Sequence, residues 1–156
     1  MRARIVGSGR RPHAPPGKGA GSQRVLLPSS AMSAYEFTCN VRPQYLPEQS
    51  DPAQGLYAFA YTVTIRNTGQ VAAQLISRHW VITDATGRVE EVKGLGVVGH
   101  QPLLKPGEGF EYTSWTRIAT PRGMMSGSYF CVAEDGERFE APIPAFSLAA
   151  DRSGLH

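Results

Sequence analysis

The stretch Tyr57–Asn67, YAFAYTVTIRN, repeats with a period of two: Tyr57, Phe59, Tyr61, Val63 and Ile65 alternate with Ala58, Ala60, Thr62 and Thr64. A helix would scatter those bulky side chains around its circumference, whereas an extended chain sends them all to one face. The segment therefore predicts a strand with one bulky, buried face. Its other face, of small and polar residues, turns to solvent or to a neighbour.

The same period continues on both sides. YEFTCNV puts Tyr35, Phe37, Cys39 and Val41 on one face, and Asn67–Gly69 predicts a turn. AQLISRHWVITD predicts a strand with Ile76, Trp80 and Ile82 on its more apolar face, and Asp84–Gly87 turns it into RVEEV. Pro106–Gly109 precedes FEYTSW, and Asp135–Gly136 joins GSYFCVAED to ERFEAPI as a hairpin. About seven to eight short antiparallel strands with turn signals every 8–12 residues predict an all-β sandwich. No segment carries an amphipathic helix, and no internal repeat is present.

At 156 residues the chain has the length of one domain and can bury a core without disulfide or metal staples. The formal charge of +3 is unevenly spread. Residues 1–31 hold six of the 16 basic side chains and no acid, so the other 125 residues carry 10 basic and 13 acidic groups. The body is mildly acidic, which argues against a nucleic-acid partner, since neutralising phosphates needs clustered Lys and Arg. No apolar run approaches the ~18 residues that cross a bilayer, so no membrane role is expected.

Residues 1–31 are rich in Gly, Pro, Ser and Arg, and their composition predicts a disordered basic tail. Gly9-Arg10-Arg11 resembles a twin-arginine export signal, but no apolar segment follows it, since Val25-Leu26-Leu27 ends at Pro28. An organelle transit peptide is opposed by the prolines and glycines. Met32 is read as the natural start, with a plain flexible tail as the alternative, and 32–156 as the folded domain. Cys39 and Cys131 lie far apart in strand-like runs, so two buried thiols in a reducing compartment are expected.

GLGVVGHQP holds the spacing G-x-G-x-x-G in Gly94, Gly96 and Gly99. A dinucleotide fingerprint needs a strand, a tight glycine turn and a helix whose free amides meet the pyrophosphate. RVEEV supplies the strand, but Pro102 and Lys105-Pro106-Gly107 forbid the helix. The loop is read as a turn between sheets, with an anion-binding nest as the alternative.

FAYTVTIRN, AQLISRHWVITDATGRVEEVKGLGVVGHQPLLKPGEGFEYTS, TPRGMMSGSY and FEAPIPAFSL together resemble the ApaG family, from about Tyr35 to Leu148. The family usually reads GEQP and YTSG where this chain has His100 and Trp115. The resemblance implies an immunoglobulin/fibronectin type III-like β-sandwich and no established enzymatic reaction or cofactor. It implies a small cytoplasmic bacterial protein, linked by genetic neighbourhood to diadenosine tetraphosphate hydrolysis and also to cobalt and magnesium tolerance. Eukaryotic relatives append the domain to F-box proteins and to a DNA polymerase delta-interacting protein, which implies protein binding. Pyrophosphate binding, suggested for the family's glycine motif, carries over to Gly94, Gly96 and Gly99 alone.

His79, His100 and Trp115 are the candidate interaction residues. Alternation puts His79 opposite Arg78 and Trp80, with Trp80 in the core, Arg78 paired with a carboxylate and His79 on the surface. Phe110, Tyr112 and Ser114 share one face; with that face in the core, Trp115 faces outward and can anchor a partner, the alternative being that it caps the sandwich edge. No catalytic or metal-binding residue is assigned: Ser77 and His79 have no acid nearby in sequence, and Glu90-Glu91 point to opposite faces. The expectation is a non-enzymatic binding protein with a protein partner. Its alternative is a nucleotide- or pyrophosphate-binding protein using Gly94–Gly99.

Overall fold

The computed structural model describes residues 2–7 and 33–150. They form nine strands: β1 (Arg2–Val6), β2 (Phe37–Tyr45), β3 (Tyr57–Asn67), β4 (Ala73–Asp84), β5 (Val89–Leu95), β6 (Leu103–Leu104), β7 (Gly109–Ile118), β8 (Arg122–Ala133) and β9 (Arg138–Ala149). One sheet has the order β1-β7-β3-β2; the other runs β5-β4-β8-β9, with β6 also paired to β4. Every pairing is antiparallel. The only helical segments among the described residues are single 3-10 turns at Pro47–Gln49 and Pro52–Gln54. The all-β sandwich read from the alternation is the fold.

The alternation of β3 is what closes the core. Phe59, Tyr61, Val63 and Ile65 are buried and meet the inward faces of the facing sheet. At the centre Trp80 of β4 lies edge-on to Tyr61 and Phe146, ring centroids 5.2 and 6.1 Å away. Fully burying a large apolar side chain contributes about 1.5–3 kcal/mol, so this aromatic group is a main source of stability. Cys39 and Cys131 are buried free thiols, and burial pushes both up to about 12. Buried Asn67 is satisfied within the protein: its side chain donates to Val71 O and Leu104 O and accepts from Gly69 N.

The hairpin signals hold. Asp84–Gly87 joins β4 to β5, closed by Gly87 N donating to Asp84 O at 3.0 Å. Gly136 N donates to Ala133 O at 2.8 Å in the β8–β9 turn.

Two expectations need correcting. Ile76 was expected on the apolar face of β4, but a β-bulge between Leu75 and Ser77 breaks the alternation there. Leu75 is buried instead, and Ile76 is the extra residue that pairs with nothing on β8. Composition also predicts no structure in the basic tail, yet Arg2–Val6 pairs with β7 as the outermost strand of its four-stranded sheet, which no compositional argument can see. Residues 8–31 of that tail, with Met1 and Met32, lie outside the described residues.

Candidate binding surfaces at Gly94–Gly99 and Trp115

The glycine segment is a hairpin turn. Gly94 lies in β5, which ends at Leu95, and Val97 and His100 exchange both backbone bonds, at 2.8 and 2.9 Å, across Val98-Gly99. Val98 has φ +40° and Gly99 φ +84°, the left-handed pair that a tight two-residue hairpin demands. Valine rarely adopts this conformation; here its side chain packs on the core, and the bonded pair on either side holds it. The chain then passes through Pro102 into β6. No helix begins at this bend, and no strand of either sheet is parallel to its neighbour, so the dinucleotide arrangement is absent from the described residues.

Three amides of the loop, those of Gly96, Val97 and His100, are engaged within the protein. Gly96 N donates to Ile76 O at 2.8 Å, and the Gln101 side chain donates to the same carbonyl at 2.9 Å. The bulge in β4 is therefore what presents a carbonyl to the loop. A Cβ on Gly96 would stand 2.5 Å from His100 O, and φ there is +66°. Arg78 completes the brace: its Nη1 donates to Leu95 O and Gly96 O at 3.0 and 2.9 Å. The guanidinium fills the space over Gly94, where a Cβ would come within 2.8 Å of it. Arg78 was expected to pair with a carboxylate; it binds two carbonyls because β4–β5 register sets it directly across from Gly94.

The two histidines lie apart. His79 is on the outward face of β4, where Nε2 meets Glu91 Oε1 at 3.0 Å. This acid was not visible as a neighbour in sequence; antiparallel pairing of Val81 with Glu91 brings it diagonal to His79. His100 belongs to the glycine turn and tilts over Phe110, ring centroids 5.6 Å apart. Among the described residues no group of three or more His, Cys, Asp or Glu could hold a metal ion.

Trp115 is on the outer face of the other sheet and is 48% exposed. The Arg117 guanidinium carbon lies over its ring, 5.1 Å from the centroid. Together with Leu46, Glu48 and Gln49 they line a groove of about 410 Å³. The cross-strand partners of Trp115 and Arg117 are Ala60 and Ala58. Small residues on the outer face of β3 leave room for an indole and a guanidinium to lie down on the sheet.

The family model of the ApaG domain matches residues 47–133. The chain belongs to the ApaG family. A Ralstonia nicotianae protein named Protein ApaG is 72% identical over 121 residues, covering 78% of this chain and 98% of that one. An Acidovorax protein of the same name is 63% identical over 125 residues, covering 79% and 91%. The crystal structure of a Bordetella pertussis protein, described as a putative ApaA protein, superposes with a TM-score of 0.75 at 60% identity, covering 78% of this chain and 98% of its own. The glycine turn and Trp115 both lie inside the matched ApaG region; β1 lies outside it.

Of the residues singled out from sequence, Gly96 and Gly99 lie in one loop with His100, Gly94 stands in β5 just before it, and His79 and Trp115 face outward from opposite sheets. Sequence reasoning missed Arg78 as the brace and Arg117 as the partner of Trp115. For Arg117 a signal existed: Ala58 and Ala60 mark where large cross-strand neighbours fit. For Arg78 there was none, because its acceptors are backbone carbonyls.

Proposed function

We propose that this ApaG-family chain is a non-enzymatic, cytoplasmic protein-binding module, and that it engages its partner through the Trp115 surface. The observation that carries this reading is an exposed tryptophan with the Arg117 guanidinium over its ring, beside a groove that Leu46, Glu48 and Gln49 complete. Tryptophan and arginine dominate interface energetics because a rigid aromatic body buries much area while losing little rotamer freedom. Arg117 fixes the ring before the partner arrives, which lowers the ordering cost of binding. The cytoplasmic assignment is supported by Cys39 and Cys131 standing as free buried thiols.

The test is affinity capture from the native cell with the full chain and its Trp115→Ala variant. Thermal unfolding verifies that the variant keeps its fold. The expected result is a reproducible partner held by the wild type and lost by Trp115→Ala. Equal retention by both chains contradicts the reading.

A further inference from the structure

β1 touches the domain as a guest strand. It pairs antiparallel with Gly109–Thr113 of β7, from Arg2 opposite Thr113 to Val6 opposite Gly109. β3 occupies the other side of β7 along its whole length. Without β1, β7 would present an open edge, a row of backbone donors and acceptors that templates another extended chain. β7 also runs on through Ser114–Ile118, past the point where β1 stops.

The side chains of β1 spell out what that edge reads. Ala3 stands opposite Tyr112 and packs against the margin of the core, where its small size suits the approach. Arg4 stands opposite Glu111 and places both Nε and Nη2 on Oε1, at 2.8 and 2.6 Å. Glu111 is prepared for this: Thr64 donates to its other oxygen at 3.2 Å, and Arg42 lies 3.6 Å from it. Those two contacts come from β3 and β2, so the carboxylate keeps its orientation when Arg4 departs. Ile5, by contrast, is 57% exposed and adds little to the recognition. The Ralstonia relative is matched over 98% of its length by 78% of this chain, and the ApaG model begins at residue 47. β1 lies outside the residues matched by the ApaG model.

We infer that the outer edge of β7 is a strand-acceptor site whose ligand is an extended peptide with arginine opposite Glu111 and a small residue opposite Tyr112, and that Arg2–Val6 is the chain's own occupant. Recognition is by β-augmentation: main-chain bonds hold the peptide, and alternate side chains select it. A ligand longer than β1 continues along Ser114–Ile118 and reaches Trp115, so the inference rests on the protein-binding reading for its biological meaning.

A labelled peptide with the sequence of residues 2–7 tests it by fluorescence anisotropy against the full chain. In the Arg4→Glu chain, like charges at Glu111 displace β1 and open the edge. The peptide is expected to bind that chain at least about tenfold more tightly than the wild type, where tethered β1 competes at a high effective concentration. A peptide carrying Glu in place of the arginine opposite Glu111 should bind the Glu111→Arg chain and not the Arg4→Glu chain. Equal binding to wild type and Arg4→Glu, or binding to neither, overturns the inference. So does conversion of the Arg4→Glu chain to a dimer that ignores the peptide, because the edge would then take a second copy of β7. Trp115→Ala separates the two readings: it should leave this short peptide's affinity unchanged even where it abolishes capture of the partner.

Discussion

The Gly94–Gly99 turn and the β1 strand reverse each other's appearance. The turn is glycine-rich and offers an anion-binding nest as its alternative reading, yet Gly96, Val97 and His100 all donate their amides to protein carbonyls and Arg78 ties down two more acceptors. β1 opens a segment whose composition predicts no structure, yet it completes a sheet. What separates them is where their backbone bonds go. The turn is bonded to the bulge of β4 and to itself, inside the family domain. β1 has one ladder and one exposed ion pair, with Arg4 the more exposed partner. Surface ion pairs contribute at most about 1 kcal/mol, so β1 is held by much less than the turn is.

The contrast breaks most visibly at Gly96. Gly96→Ala brings a Cβ to 2.5 Å from His100 O at φ +66°, and should destabilise the domain by about 3 kcal/mol in urea denaturation. A neutral result would mean the turn relaxes freely and is not braced. Arg78→Met should cost about 1.5 kcal/mol by the same measurement, since a cation shared by two carbonyls is lost and the methionine fills only the volume over Gly94. A cost equal to that of a surface substitution would remove Arg78 from the account.

At the β1 end the effects are smaller and local. Hydrogen bonding from Arg4 lowers the Glu111 carboxyl below its ordinary range, followed by the Arg4 charge and the contacts of Thr64 and Arg42. A depressed folded-state value means the pair's contribution is fully present above the unfolded carboxylate pKa and is lost as pH falls through the folded one. On acidification, NMR shifts of Arg4 and its β1 neighbours should move before the global transition, while the amide resonances of Gly96 and Val97 stay in place. Simultaneous movement of both would tie β1 into the core more firmly than one edge ladder can. The smallest expected effect is none: millimolar pyrophosphate or nucleotide should leave the melting temperature unchanged, because the Gly96, Val97 and His100 amides are already bonded within the protein. A specific rise would show a ligand of the native state by mass action and would reopen the nest reading.

The fold was legible because period two and turn chemistry are local. Tyr57–Asn67 and the Asp84–Gly87 and Asp135–Gly136 hairpins state their structure in consecutive residues. Ile76 was misplaced because a bulge shifts alternation by one residue and leaves no composition mark. Candidate-site residues fared unevenly for the same reason. Trp115 on the outer face follows from alternation alone, but the pairing of His79 with Glu91 and of Arg4 with Glu111 depends on strand register across long stretches of chain. Register is set by which partners meet in three dimensions. The docking of Arg2–Val6 is the extreme case, since nothing within those five residues announces an acceptor more than a hundred positions away.

Native-state hydrogen exchange bears most directly on the claim that bonded partners, not composition, decide which segment is fixed. The amides of Gly96, Val97 and His100 should exchange only through large-scale unfolding. Those of Arg2–Val6 that pair with β7 should exchange at least about a hundredfold faster through local opening. Protection of β1 equal to or greater than that of the turn would contradict the account.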